Sequence, residues 1–125
     1  MEIIKKNSDT FFEVEEDLNT TINKIANGRG GLEHQTVDDQ LGTLNNCIEY
    51  LLKEDGKFKD VPESVFYDFL NNKDIMKYRK DTHIFRHAST EALEEKSKWS
   101  NDKKQFYIRL GVIMITAIYN DIYWF

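Results

Sequence analysis

Residues 103–123 read KKQFYIRLGVIMITAIYNDIY, and this stretch decides the fold class. Apolar side chains recur along it every three or four residues, which is the spacing of an α-helix. They also cover most of the helix circumference, so we predict a central helix that other helices contact from several sides. Asp102 followed by Gln105 predicts where this helix begins. One apolar row comprises Phe106, Leu110, Ile113 and Ala117, and a second comprises Tyr107, Met114, Ile118 and Ile122.

The same stretch could be mistaken for a membrane span, but polar residues interrupt it. Arg109 lies near its start, and Asn120 and Asp121 lie near its end. The run between them, Leu110–Tyr119, is shorter than the roughly 20 apolar residues that a helix needs to cross a bilayer. We therefore expect a helix that is buried among other helices, and no membrane association.

Upstream, the sequence predicts three or four further helices that are joined by short links. Most of them combine a capping residue with apolar residues at helical spacing. Ser89–Lys98 is predicted to be a long connection with one weak helical turn. No stretch alternates as a strand would, so we predict an all-α, up-down bundle of four to five helices and a single domain over residues 1–125. The predicted segments run from Thr10 to Gly28, from Thr36 to Gly56, from Pro62 to Asn72 and onward from Asp74.

Composition limits the classes of function. The formal net charge of −5 argues against bulk electrostatic binding to nucleic acid or to an anionic membrane, but it leaves room for a local basic site. The single cysteine, Cys47, excludes an internal disulfide and a cysteine zinc site, and we expect it in the core. No N-terminal signal peptide is recognisable, so a cytoplasmic location is expected.

Residues 77–89, KYRKDTHIFRHAS, concentrate the groups that could handle phosphate and protons. Arg79, His83 and His87 are spaced four residues apart, so a helix would project all three from one face. Arg86 would lie on the flank of that face. RNA cleavage without a metal needs a base for the ribose 2′-hydroxyl, an acid for the leaving oxygen and a cation for the phosphate, and histidine and arginine supply these groups. The other charged residues nearby are Lys73, Lys77, Lys80, Asp74 and Asp81.

The helix pattern and two short motifs resemble the HEPN family. The matching parts are QLGTL at residues 40–44, KYRKDTH at residues 77–83 and the closing apolar helix. Members are commonly metal-independent ribonucleases of toxin–antitoxin, abortive-infection and CRISPR-associated defence, and they dimerise so that two Arg/His motifs form one cleft. The resemblance implies a homodimeric ribonuclease without cofactors, in which Arg79 contacts phosphate and His83 transfers the proton, with an antitoxin or another protein as a further partner. Supporting RNA contacts would come from Lys77, Lys80, Arg86 and His87.

The spacing within the second motif leaves a further alternative open. Three residues separate Arg79 from His83, which is fewer than is usual in the family, and Lys80 occupies the polar position after the arginine. The short spacing changes where the imidazole points relative to the guanidinium. A non-catalytic, RNA-binding member of the family therefore remains an alternative.

Two other functions are compatible with the sequence. In the first, His83 and His87, spaced i and i+4, bind a metal ion together with Glu91 or His34, as in four-helix metal-binding bundles. In the second, a small acidic helical protein acts as an inhibitor or immunity protein by binding a partner protein. The segments that would serve this second function are the acidic runs Glu13–Asp17, Asp38–Asp39 and Glu91–Glu95, and the aromatic end Tyr123–Phe125.

Overall fold

A computed structural model describes residues 18–123 of the chain. Within this range, five α-helices form an all-α bundle with one small hairpin and two 3₁₀ turns, so the predicted fold class is confirmed. The predicted start of the first helix at Thr10 lies outside the described residues. The elements are α1 (described over residues 18–26), α2 (Val37–Leu52), β1 (Lys53–Glu54), β2 (Lys57–Phe58), a 3₁₀ turn (Glu63–Phe66), α3 (Asn72–Thr82), a second 3₁₀ turn (His83–Arg86), α4 (Thr90–Ser97) and α5 (Asn101–Tyr123).

Helices α2 and α5 form the centre of the core. The apolar residues of α2 recur at helical spacing, and they pack against the inward face of α5. Removing such side chains from water stabilises the fold by about 25 cal/mol for each Å² of apolar surface. Residues that are completely buried in this contact include Leu41, Leu44, Cys47 and Ile48 of α2 and Met114, Ile115 and Ile118 of α5.

Two glycines allow other elements to approach the central helices closely. A Cβ atom at Gly42 of α2 would lie 2.6 Å from the carbonyl oxygen of Phe85, so the turn His83–Arg86 packs directly on the α2 backbone. A Cβ atom at Gly111 of α5 would collide with the Tyr78 hydroxyl, which donates a hydrogen bond of 2.7 Å to the Tyr107 carbonyl. These contacts position α3 and the turn that follows it.

The prediction that the second helix closes at Asp55–Gly56 is wrong, because α2 ends at Leu52. Asp55 and Gly56 instead form the tip of the β1–β2 hairpin, with φ angles of 52° and 78°. Two consecutive residues with positive φ give the turn geometry that two-residue hairpins prefer, and an Asp-Gly pair adopts it readily.

Two predicted segments differ from the observed ones in helical content. The segment beginning at Pro62 contains only the 3₁₀ turn Glu63–Phe66. Phe66 is buried, whereas Phe69, which follows the turn, is exposed. The predicted connection Ser89–Lys98 contains α4, whose first turn is capped where Ser89 Oγ accepts a hydrogen bond of 3.1 Å from the Ala92 amide.

Helix α5 is central but is not enclosed on all sides by residues 18–123. The row predicted to begin at Phe106 is only partly buried, since Phe106 is 59% exposed and Ile113 is 56% exposed. The opposite side of α5 faces α2 and α3. None of the helices in this range has both the length and the apolar character needed to cross a membrane.

Cys47 provides a direct test of the α2–α5 core. The side chain is completely buried, and burial raises the pKa of its thiol to about 12. Because the thiolate is the reactive form, we expect a thiol reagent such as Ellman's reagent to modify Cys47 only after unfolding. Rapid stoichiometric modification of the folded chain at neutral pH would contradict this packing.

Candidate functional site

The cluster predicted from residues 77–89 lies where α3 ends. α3 begins with a capping box, in which the Asn71 side chain accepts a hydrogen bond from the Asp74 amide and the Asp74 carboxylate accepts one from the Asn71 amide. The helix ends at Thr82, and the chain continues as the 3₁₀ turn His83–Arg86. Arg79 therefore lies on the last turn of a helix, whereas His83 and His87 lie beyond it.

Asn45 of α2 anchors this part of the chain to the core. It is completely buried, and its side-chain amide nitrogen donates hydrogen bonds to the Arg79 carbonyl at 2.8 Å and to Thr82 Oγ1 at 2.9 Å. Its oxygen accepts a hydrogen bond of 3.3 Å from Arg86. A buried amide that is satisfied in this way fixes the relative positions of α2, the end of α3 and the following turn.

Glu49, one turn after Asn45, binds both arginines of the cluster. Its Oε1 atom lies 2.7 Å from the guanidinium of Arg86, and its Oε2 atom lies 3.4 Å from Nε of Arg79. The Arg79 guanidinium also stacks on the Phe58 ring, with 3.8 Å between the Cζ atom and the ring centroid, and the Arg79 side chain is only 17% exposed. Arg79, the predicted phosphate contact, and Arg86, a predicted supporting RNA contact, therefore share one carboxylate.

The imidazole rings of His83 and His87 contact each other at the surface. Their Nε2 atoms are 3.0 Å apart, and the ring planes are inclined by 68°. A hydrogen bond at this distance requires one Nε2 atom to carry the hydrogen and the other to accept it, so the tautomers of the two rings depend on each other. The Lys96 ammonium donates a hydrogen bond of 2.5 Å to the His87 carbonyl, which ties the backbone at His87 to α4.

A shallow pocket of about 240 Å³ adjoins this histidine pair. Arg79, Lys80 and His83 line it, together with Glu49 and Met76. The structure thus brings three of the predicted site residues to one opening, and His87 joins them through its contact with His83.

Lys77 does not line this pocket. Its ammonium lies 2.6 Å from the Asp81 carboxylate, which also accepts a hydrogen bond of 2.7 Å from the Tyr107 hydroxyl. Burial alone would raise the pKa of Asp81, but the hydrogen bonds from Lys77 and Tyr107 outweigh it and lower that pKa. Asp81 is therefore a stable anion that holds Lys77 beside α5.

The residues of the two alternative functions are placed as follows. Among residues 18–123, no three His, Cys, Asp or Glu side chains come together as a set that could hold a metal ion, so His83 and His87 offer two nitrogens where zinc sites commonly use three or four protein ligands. Of the acidic runs, Asp38 pairs with Lys104 at 2.8 Å and Glu95 with Lys98 at 3.0 Å. Glu13–Asp17 lies outside the described residues.

Comparison with known proteins yields no match to a protein-family profile, to a curated protein or to a solved structure. The resemblance to the HEPN family therefore stays a prediction, and the function has to be argued from the cluster itself.

Proposed function

We propose that this chain binds single-stranded RNA at the pocket beside α3 and cleaves it without a metal ion, as a HEPN-like ribonuclease of a defence system. The observation that carries the proposal is the contact between the two imidazoles, with 3.0 Å between their Nε2 atoms, at the rim of a pocket lined by Arg79 and Lys80. Groups that exchange protons and groups that attract phosphate converge there on an otherwise acidic chain.

The histidine pair supplies the proton transfers. One neutral imidazole removes the proton from a ribose 2′-hydroxyl, whose oxygen then attacks the adjacent phosphorus. The bond between phosphorus and the 5′-oxygen breaks, and a protonated imidazole gives its proton to that oxygen. The products are a 2′,3′-cyclic phosphate and a 5′-hydroxyl. Histidine suits both tasks because it gains and loses a proton near neutral pH.

The cations of the pocket bind the phosphate. Lys80 is exposed, so its ammonium is accessible to a phosphate oxygen. Arg79 opens onto the pocket but is held by Glu49, so a phosphate that binds Arg79 has to compete with this carboxylate. Arginine binds phosphate and carboxylate through the same fork of N–H groups, and Glu49 therefore acts as the internal competitor of the substrate.

This competition gives a test of RNA binding. Glu49→Gln keeps a hydrogen-bond acceptor for Arg86 but removes the negative charge, so we expect the affinity for a single-stranded RNA to rise roughly three- to tenfold at low salt. Lys80→Ala should weaken binding and reduce the slope of log affinity against log salt by about 0.7, as expected for one lost phosphate contact. Fluorescence anisotropy of a labelled oligonucleotide measures both effects.

Glu54→Gln is the matched control. Glu54 is an exposed glutamate that pairs with Lys59 at 3.8 Å beside the hairpin. Removing its charge should therefore leave the affinity for RNA almost unchanged. Equal changes in affinity for Glu49→Gln and Glu54→Gln would mean that only net charge matters. Undetectable RNA binding by the wild-type chain and by Glu49→Gln would contradict the proposed function.

A further inference from the structure

The outward face of α5 carries an apolar stripe that residues 18–123 leave uncovered. It consists of Phe106, Leu110, Ile113 and Ala117, which we call the α5 stripe. Phe106 and Ile113 are more than half exposed, and Leu110 and Ala117 are partly buried. Apolar surface that is contiguous on this scale is typical of an interaction site.

A groove of about 930 Å³ runs beside the stripe. Its second wall is the segment 64–70, from which the rings of Tyr67 and Phe69 project into solvent. Tyr67 and Asp68 both have positive φ, at 52° and 65°, and this uncommon conformation turns the segment outward. The stripe and the groove together form an apolar face large enough to receive a helix.

We propose that this face binds the same face of a second copy of the chain, with the two α5 helices antiparallel. The stripe residues are separated by four, three and four positions, which is the spacing of a helix–helix seam. Because this spacing is symmetric, one twofold axis places Phe106 against the partner's Ala117 and Leu110 against the partner's Ile113. A large ring then meets a small side chain, and two aliphatic side chains meet each other, which is the self-complementarity that a twofold interface requires.

The charges beside the stripe agree with this register. Lys103 and Asp121 are 18 residues apart, which is about five helical turns, so both project from the same flank of α5. The same twofold axis brings Lys103 near the partner's Asp121 on one flank and Asp102 near the partner's Asn120 on the other, each pair being offset by one residue, or about 1.5 Å, along the helix axis. Asp121 makes no ion pair with any residue of the range 18–123. Asp102 and the partner's Asp121 share a level along the axis but lie on opposite flanks of the seam. The closer charged pair is therefore Lys103 with the partner's Asp121, which favours the antiparallel arrangement.

The proposed interface and the candidate RNA site lie on different sides of the protein. Gly111 faces Tyr78 of α3, and two residues along a helix correspond to a rotation of about 200°, so Ile113 points away from α3. The two Arg/His clusters of the dimer would therefore lie on its outer surfaces. This differs from the shared cleft implied by the HEPN resemblance, and the dimer does not depend on the proposed RNA activity.

The oligomeric state in solution tests the proposal. Ile113→Glu places a charge in the middle of the stripe, and Leu93→Glu is the matched control, since Leu93 of α4 is also 56% exposed. Size-exclusion chromatography with light scattering should give dimers for the wild type and for Leu93→Glu, and monomers for Ile113→Glu. A wild-type monomer throughout a concentration series, or an Ile113→Glu variant that stays dimeric, would overturn the proposal. If the wild type is monomeric and Ile113→Glu lowers the Tm, this face is covered by another part of the same chain. That result would also overturn the proposal.

Cysteine cross-linking tests the register. Under mild oxidation, a mixture of the Phe106→Cys and Ala117→Cys chains should form a mixed disulfide dimer. Phe106→Cys alone should not cross-link, because the two copies of position 106 are about 16 Å apart along the helix axis. The native Cys47 is buried and does not interfere. Cross-linking of Phe106→Cys with itself, or no product from the mixture, would overturn the antiparallel register.

Discussion

Replacing either His83 or His87 by alanine should reduce RNA cleavage by about 10²- to 10⁴-fold, the usual contribution of a general acid or base. Both rings are exposed, so neither substitution removes core packing, and the free energy of unfolding should change by less than about 0.5 kcal/mol. The two single variants and the double variant should be about equally impaired, because the proton transfers need both members of the pair. Cleavage of a fluorogenic RNA, followed together with thermal unfolding, measures these effects.

The third histidine supplies the control for this experiment. His34 is exposed in the loop between α1 and α2, so His34→Ala should leave cleavage unchanged. Full cleavage by His83→Ala, by His87→Ala and by the double variant would end the proposal of a ribonuclease. Cleavage that a chelator abolishes and zinc restores would favour a metal bound by the two imidazoles.

Gly42→Ala should destabilise the fold by about 1–3 kcal/mol, which is the usual cost of adding a methyl group to a closely packed site. The added Cβ would lie 2.6 Å from the Phe85 carbonyl oxygen, and this backbone atom cannot move without displacing the turn His83–Arg86. In an open helix position the same substitution would stabilise by about 1 kcal/mol, because alanine is the better helix former. The sign of the change in Tm therefore decides whether α2 and the turn are in contact.

A second substitution in α2 controls for the effect of alanine itself. Asn46→Ala replaces a half-buried residue of the same helix, and we expect it to change the free energy of unfolding by less than about 1 kcal/mol. Gly42→Ala should also alter the environment of both histidine rings, visible as shifts of their NMR signals, because it moves the turn that carries them. A Tm that rises on Gly42→Ala would contradict the observed packing.

Local signals in the sequence predicted the helices whose ends are capped. The Thr36 hydroxyl accepts the hydrogen bond of 3.1 Å from the Asp39 amide that the capping pattern indicated, and α2 begins at the next residue, Val37. The first turn of α5 differs slightly, since the cap is Ser100, two residues before the predicted Asp102, and its Oγ accepts a hydrogen bond of 3.1 Å from the Lys103 amide. Caps and apolar spacing involve residues close in sequence, and they can therefore be recognised without a structure.

The surroundings of the candidate site could not be predicted in the same way. Asn45 and Glu49 contact residues that are 30 to 41 positions away in the chain, and no local pattern indicates such pairs. The sequence did contain one signal for Asn45. It lies between Leu44 and Ile48, which belong to the apolar row of α2, so it is a polar residue at a position that should face the core. The contact between His83 and His87 agrees with their predicted proximity, although a 3₁₀ turn and not an α-helix brings them together.

The open face of α5 shows a second limit of sequence patterns. A helix that is apolar around most of its circumference indicates that every side has a neighbour, but the pattern does not say whether that neighbour belongs to the same chain. Within residues 18–123, Met114 and Ile118 are covered by other elements, whereas Phe106 and Ile113 are not.

The NMR signals of the three histidines test most directly whether RNA binds beside α3. Single-stranded RNA with 2′-O-methyl groups cannot be cleaved, because the attacking hydroxyl is blocked, and it can be titrated into the protein while the three imidazole NMR signals are followed. We predict that the signals of His83 and His87 shift with RNA concentration and saturate together, while the His34 signal stays in place. Unchanged His83 and His87 signals at saturating RNA, or shifts no larger than those of His34, would contradict the proposed site.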